Sequence, residues 1–402
     1  MIDSLNRKNN GSSNTHDKRS LLGFAFLHFV NDTHSTAIPT IIPMLVSSIS
    51  LSMSQAGFLS AVFGITNILG QPVSGYFADR QKKPWFAIWG PLLSVIGACF
   101  LPLAPNYACA LLLVLCMSAG TAIFHPQGTG RTGAASGGSD LAFFISLFAA
   151  SGSFGSSIGP LYVVFMITIL GKSYFPLMIL PVFLIIIFMW KNLSATRTSE
   201  TITDSNVNVS DFLGNIKSIF QKIGWIVLIT SIRDSVFQGI KVFLPMFIII
   251  KGGTIQSGGF SLFAVTLAGT IAGVIGGKLA DTAGDRLVLM GSIGIAPIFL
   301  LLGLHTSGII SLCALMVGFA LLQASSPVTT AMAQKRCPES RSTVSSLAMG
   351  VSWGIANLFA SPVGLSADII GLETTLQIVA FIPWTVTIWA AVRRLLTAKK
   401  TS

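Results

Sequence analysis

Charge is what this 402-residue chain has least of: 10% of its residues are Asp, Glu, Lys or Arg, and only 14 are acidic. A soluble domain carries roughly 25% charged residues, so the surface of a soluble protein of this length would go uncovered. Disorder is excluded from the opposite side, because 52% of the residues are hydrophobic. Cysteine is also scarce. The five present have no spacing that marks a metal site or a disulfide framework. Cys99, Cys109, Cys116 and Cys313 lie in apolar runs as small packing residues, and Cys337 sits in a basic loop as a free thiol. The short alternating segments of a β-barrel are missing, as are the H-E-x-x-H, G-x-S-x-G and Walker A patterns. These absences argue against an enzyme and against ATP as the energy source. No basic cluster is interleaved with aromatic residues, so the net charge of +11 does not point to nucleic acid.

What the chain does have is a series of apolar runs of about 20 residues, the length that crosses a bilayer as a helix. They read as twelve spans: 21–46, 54–78, 85–104, 107–126, 140–169, 174–191, 224–250, 257–280, 286–304, 307–330, 342–368 and 374–396. The expected class is therefore an all-α integral membrane protein. Residues 1–20 form a polar tail, 21–191 a first six-helix bundle, 192–223 a polar linker, 224–396 a second six-helix bundle, and 397–402 a short tail. Twelve spans put both termini on one side. With the termini in the cytoplasm, 21 of the Lys and Arg residues fall in cytoplasmic segments and only Lys172 and Lys251 fall outside. That bias predicts a multi-pass protein of the inner (cytoplasmic) membrane. The architecture needs no partner subunit, so a monomer is expected.

The halves repeat with an offset of 202 residues: Asp32 matches Asp234, Pro43 matches Pro245, Gly152 matches Gly354 and Pro160 matches Pro362. Gly75, Ala78 and Asp79 match Gly277, Ala280 and Asp281 in the same way. Chance apolar similarity would not align prolines and intramembrane aspartates. Two parallel six-helix halves are a secondary-transporter architecture, with the site expected near the bilayer midplane between them.

The motifs then reach a known family. Gly75-Tyr-Phe-Ala-Asp79-Arg80-Gln-Lys-Lys83 resembles the loop 2–3 signature of the major facilitator superfamily, and Gly277-Lys-Leu-Ala-Asp281-Thr-Ala-Gly-Asp-Arg286 resembles its degenerate copy in loop 8–9. Gln81 stands where that pattern usually has glycine. Physically, Gly75 and Gly277 allow close helix packing, Asp79 suits a helix N-terminus, and Arg80 holds the loop at the headgroups. The pair reads as a conformational latch or, more plainly, as a positive-inside loop. Gly155-x-x-x-Gly159-Pro160 resembles the fifth-span signature of the drug/proton antiporters of this superfamily, although Tyr162-Val163-Val164 replaces the usual glycine pair beyond it. His28-Phe-Val-Asn31-Asp32 with Pro39 and Pro43, together with Gly120-Thr-Ala-Ile-Phe124-His125-Pro126, is similar to the fosmidomycin-resistance branch. The resemblance implies proton-coupled efflux of small compounds, a phosphonate antibiotic among them, and so a role in antibiotic resistance. No bound cofactor is implied; the proton gradient supplies the energy.

Ionisable groups within spans are costly and mark function by default. His28, Asn31, Asp32 and Ser35 share one face of the first span at i, i+3, i+4 and i+7. Asp32 reads as a proton carrier, or else as a carboxylate pinning two helices. His125 precedes Pro126, which breaks the fourth span locally. It can relay protons or bond a freed carbonyl. In the seventh span Asp234, Gln238 and Lys241 share a face and Arg233 adjoins them. Asp234 is a second proton-coupling candidate. Two cations against one acid suit an anionic substrate, or else close a network among Arg233, Asp234, Lys241 and Asp32. Asn67, Gln71, Gln323 and Asn357 can line a cavity or bond between helices. The reading that best fits is an alternating-access antiporter exporting a small organic anion. A symporter importing such an anion, and an exporter of siderophores or other metal chelators, remain alternatives.

Overall fold

The computed structural model describes residues 10–36, 38–135, 141–194, 209–337 and 347–398. Much of the expected tails and linker lies outside the described residues, as do the side chains of Asp79, Arg80 and Asp281. Among the described residues every regular element is helical. In chain order they are α1 (Asn10–Ser35), α2 (Ile38–Ile49), α3 (Met53–Arg80), α4 (Trp85–Phe100), α5 (Tyr107–Ala135), α6 (Leu141–Leu170) and α7 (Ile179–Ser194). The second half holds α8 (Val209–Ile250), α9 (Ile255–Ala283), α10 (Asp285–His305), α11 (Gly308–Ala324), α12 (Ser326–Arg336), α13 (Ser352–Ile370) and α14 (Leu372–Ala398).

Nine helical segments among the described residues are long and apolar enough to cross a membrane. They correspond to the expected spans two to six and eight to eleven. The other three expected spans fall on α1–α2, α8 and α14. The run 21–46 is not one helix: Pro39 has no N–H for the carbonyl of Ser35, so α1 ends there and α2 restarts. In α8 the apolar run is interrupted by Arg233, Asp234 and Lys241. Large apolar side chains such as Phe188, Val274, Ile309 and Ile369 stand uncovered, as the faces of helices turned to lipid do.

The chain divides into two compact units, Met1–Ile41 with Thr66–Asp204 and Ile42–Ile65 with Ser205–Ser402. Residues 42–65, expected within the first bundle, thus group with the second unit. The reason is a tight seam between α3 and α13. A Cβ on Gly57 would strike the Ala360 carbonyl, one on Gly64 the Asn357 side chain, and one on Gly364 the Met53 carbonyl. The Asp368 carboxylate closes this seam by accepting the Met53 and Ser54 N–H groups, each at 2.8 Å, at the start of α3.

In the first unit α1 lies on α6 at backbone distance. A Cβ on Gly155 would strike the Phe29 carbonyl, and one on Gly159 would lie 2.5 Å from the Thr33 carbonyl. In the second unit α8 lies on α13 through side chains instead: Ser231 donates to Ser352 at 3.2 Å, and Gln238 donates to Asn357 at 3.0 Å.

Two expectations need correcting. α5 does not break at Pro126 but runs through it to Ala135. Proline removes the bond to the Ala122 carbonyl, and the Ser74 hydroxyl donates to that carbonyl at 2.6 Å. The freed acceptor is thus satisfied by Ser74 rather than by His125. Cys337 is not an open loop thiol either; it is buried beside Ile219, Ile223 and Ile226.

Candidate functional site

The first unit gathers the polar face of α1 against α5. One turn of helix separates His28 from Asp32, and both meet His125. His28 Nε2 lies 3.3 Å from Asp32 Oδ2, and His125 Nε2 lies 3.4 Å from Asp32 Oδ1. Asn31 donates to Asp32 Oδ1 at 2.9 Å. The other nitrogen of His28, Nδ1, is 2.7 Å from the Phe148 carbonyl of α6. A carbonyl can only accept, so Nδ1 carries a hydrogen. In the neutral ring Nε2 would then be a bare lone pair facing a carboxylate oxygen. That contact is attractive only if a further proton sits on the ring or on the acid. The His28–Asp32 contact is therefore one that a proton completes.

The room for this arrangement comes from α6. A Cβ on Gly152 would overlap the His28 ring, and Phe148 stacks on that ring with centroids 4.1 Å apart. The signature glycines Gly155 and Gly159 thus seat the helix that carries Asp32, and Gly152 seats the ring that faces it. Partial opening to solvent persists, with the Asp32 side chain 16% and the His125 side chain 26% exposed. The nitrogen and oxygen atoms of the three groups lie within 4.8 Å of one another, a donor set that would also suit a transition-metal ion.

The second unit places Asp234 where the repeat puts it, with different company. Arg233 donates to a single oxygen, Asp234 Oδ1, from Nε at 2.9 Å and from a terminal nitrogen at 2.7 Å. Its remaining hydrogens reach Thr329 at 3.3 Å and Ser326 at 3.4 Å on α12. Both side chains are nearly sealed, Arg233 at 2% and Asp234 at 6% exposure. Asp234 Oδ2 has no hydrogen-bond partner among the described residues. Lys241 is also buried, with its ammonium 5.8 Å from the Phe237 ring centre. Asp234, Phe237, Gln238, Trp353, Ala356 and Asn357 line a small recess.

The other expected polar residues are partly committed to helix contacts. Gln71 donates to Asn67 at 3.1 Å, one turn away. Asn357 accepts from Ser60 and Gln238 and donates to the Trp353 carbonyl. The Gln323 side chain packs where Gly269 of α9 leaves space. In the loop motifs Gly75 meets Pro126 and Gly277 meets Pro327, each at 3.5 Å from where a Cβ would be. Arg131, one of the 21 cations counted in cytoplasmic segments, is buried in α5 and donates to the Gln81 carbonyl at 2.6 Å. Gln81 also accepts from Gln127 at 3.0 Å. The residue that departs from the family pattern is therefore the anchor of this loop.

Sequence reading missed the Phe148 carbonyl, Ser326 and Thr329. A backbone acceptor has no residue signature. Ser326 was not reachable through the repeat either: the contacts of Gly75 with Pro126 and of Gly277 with Pro327 match Ser326 to His125 at an offset of 201 residues, one short of the 202 that the sequence shows.

The family model described as Major Facilitator Superfamily matches residues 24–361. The chain belongs to the Major Facilitator Superfamily. This superfamily member is 30% identical over 363 residues to the Fosmidomycin resistance protein of Escherichia coli (strain K12), covering 89% of this chain and 88% of that relative. It is also 26% identical over 375 residues to the uncharacterized MFS-type transporter YfnC of Bacillus subtilis (strain 168), covering 90% of each. Among solved structures it is similar to an inward-facing, occupied bacterial homologue of the lysosomal transporter Spinster, with a TM-score of 0.75 at 16% identity over 94% of this chain and 96% of that one. The nucleoside transporter NupG matches with a TM-score of 0.74 at 13% identity, over 92% of this chain and 97% of that one. At such identities these structures show the fold alone. The protein is thus a multi-pass membrane transporter of this superfamily, a class that is not enzymatic.

Proposed function

We propose that this transporter is a proton-coupled antiporter that exports a small organic anion by alternating access across the inner membrane, with both termini in the cytoplasm. One observation carries the proposal. Asp32 is held between two imidazoles, and the tautomer of His28 imposed by the Phe148 carbonyl requires a proton in the contact. A carboxylate with two imidazoles exchanges a proton without leaving a bare buried charge, since each partner can take up the change. We assign proton coupling to Asp32 and His125, with His28 as the ring that holds the shared proton. Asp234, whose partner is an always-charged guanidinium, is the weaker carrier.

The relative's name supports a phosphonate-type anion as substrate class and favours export over import. Conformational change is assigned to Gly75–Arg80 at the end of α3, to Gly277–Asp281 at the end of α9 and to the Gly155, Gly159 and Pro160 seam.

The test is proton flux in proteoliposomes holding the full chain, a pH-sensitive dye and a chelator that removes stray metal. Fosmidomycin added to acid-loaded vesicles is expected to release protons in wild type and not in Asp32→Asn. Protons moving in the same direction as the drug would reverse the reading to symport. Equal coupling in Asp32→Asn would remove Asp32 from the mechanism.

A further inference from the structure

We propose that His28, Asp32 and His125 bind a divalent transition-metal ion of the zinc type, and that the bound ion takes the place of the proton between His28 and Asp32 and so stops transport. The metal site stands on the geometry alone; the block rests on the proton-coupled reading above.

The donors come first. One ligand atom from each of the three residues lies within 4.8 Å of the other two. The two acid–imidazole distances are 3.3 and 3.4 Å. Ligand atoms held tetrahedrally at about 2.0–2.1 Å from zinc stand about 3.3–3.4 Å from one another. The edges that Asp32 makes with the two rings are therefore already of metal-site length. His28 and Asp32 sit one helical turn apart, the spacing at which two side chains of one helix reach a single ion. His125 completes the set from α5.

The groups behind the donors point the same way. A metal-bound imidazole usually gives its other N–H to a carbonyl or carboxylate, which fixes the tautomer and aims the free lone pair. His28 gives Nδ1–H to the Phe148 carbonyl at 2.7 Å, and the Phe148 ring stacks on its own. Metal-bound carboxylates are hydrogen-bonded in turn, and Asn31 donates to Asp32 at 2.9 Å. The Nε2 lone pair of neutral His28 then faces a carboxylate oxygen. A cation between them relieves that repulsion as a proton does.

Chemistry selects the ion. Two imidazoles and one carboxylate suit zinc and its neighbours in the first transition row, whereas Mg2+ and Ca2+ prefer oxygen ligands alone. Three protein ligands leave a fourth position, and the partly exposed side chains of Asp32 and His125 open it to solvent. An ion seated here uses the lone pairs that would hold the proton, and the proton leaves to solvent as the metal enters.

The experiment uses the purified full chain, stripped with a chelator, placed in nanodiscs and titrated with Co2+ or Zn2+. One ion per chain is expected, with the intense visible bands of four-coordinate Co2+. Losing a ligand costs more than losing a group behind one, so Asp32→Asn and His125→Ser should each weaken Zn2+ binding more than about 100-fold and Asn31→Ala about 10-fold. His125→Cys should keep the ion and add a sulfur-to-cobalt band in the near ultraviolet, a signature that only direct ligation gives. In proteoliposomes, Zn2+ should stop fosmidomycin-driven proton release, a chelator should restore it, and Mg2+ should leave it unchanged.

Absence of saturable binding of either ion to folded wild type overturns the inference and leaves proton-coupled export standing. Binding that survives in both Asp32→Asn and His125→Ser puts the ion elsewhere on the chain and overturns the site. Proton release that continues with the site saturated, equal inhibition by Mg2+, or Zn2+ accumulating in the vesicles overturns the block. Metal binding at the cluster without substrate-driven proton release in chelated vesicles overturns the coupling reading and leaves the metal site standing.

Discussion

Asp32 and Asp234 stand at the same place in two halves related by an offset of 202 residues, yet their neighbours differ in kind. Asp32 faces two imidazoles, groups that gain and lose charge, and its side chain is 16% exposed. Asp234 faces a guanidinium that never loses its charge, and the pair is almost sealed. The residue before the matching proline follows the same division, His125 in one half and Ser326 in the other. So does the helix seam. Gly155 lets α6 touch the α1 backbone, whereas Asn357, at the equivalent position of α13, bonds Gln238 of α8. The lesson is that the repeat preserved the scaffold while the chemistry diverged. One half keeps an acid whose partners can follow a proton, and the other keeps an acid whose partner cannot.

The largest expected effect tests the sealed pair. Arg233→Ala or Asp234→Ala leaves one buried charge unpaired, a loss of about 3–5 kcal/mol. A thermal melt of the purified protein should show it as a strongly lowered midpoint. Asp32→Asn should melt close to wild type, because its partners can become neutral and the site is partly open. If Asp32→Asn lowers the melting midpoint as far as Asp234→Ala does, the contrast between the two acids is wrong. Next comes His125→Ser, which rebuilds the first site in the image of the second. Substrate-driven proton flux is expected to fall about 10²-fold, the size of a lost proton-transfer group, with the protein still folded. Unchanged flux would leave the proton with His28 and Asp32 alone. Smaller in stability but sharp in location is Gly152→Ala. Its methyl group would overlap the His28 ring, an overpacking of about 1–3 kcal/mol. Coupling should suffer more than the melting midpoint. Gly155→Ala strikes the Phe29 backbone instead and should lower the midpoint further.

How much of this was legible follows from what kind of signal each feature leaves. Helical spans are legible because bilayer thickness fixes the length of an apolar run. The His28–Asn31–Asp32 face is legible because helical spacing places those residues together. The halt between α1 and α2 was written in Pro39, although the hydropathy of 21–46 masks it. That His125 joins Asp32 could not be read from periodicity, since the two lie on different helices. The Arg233–Asp234 grip runs against helical spacing: adjacent residues diverge on a helix, and only the length of the arginine side chain folds it back. Neither Ser326 nor Thr329 stands out, because hydroxyl residues abound in such helices. The Phe148 carbonyl, which fixes the tautomer of His28, belongs to the backbone and is silent in any sequence.

The smallest expected effect concerns the paired prolines. Pro126 and Pro327 meet matching glycines, Gly75 and Gly277, yet α5 continues through the first while the second opens α12 after a break that ends α11 at Ala324. Ser74 explains the difference. Its hydroxyl occupies the carbonyl that Pro126 frees, so the helix keeps its course. The matching position in the second half is Gly276, where a Cβ would strike the Ala324 carbonyl at the end of α11. There the chain backbone, not a side chain, fills the space. Ser74→Ala should therefore remove about 1 kcal/mol and loosen α5 at Pro126 towards the broken form of its counterpart. Hydrogen exchange of the α5 amides that follow Pro126 would report it as faster exchange confined to that stretch. Proton coupling should persist, since Ser74 touches none of His28, Asp32 and His125. An exchange pattern identical to wild type would mean that the proline in α5 is tolerated for a reason other than the serine.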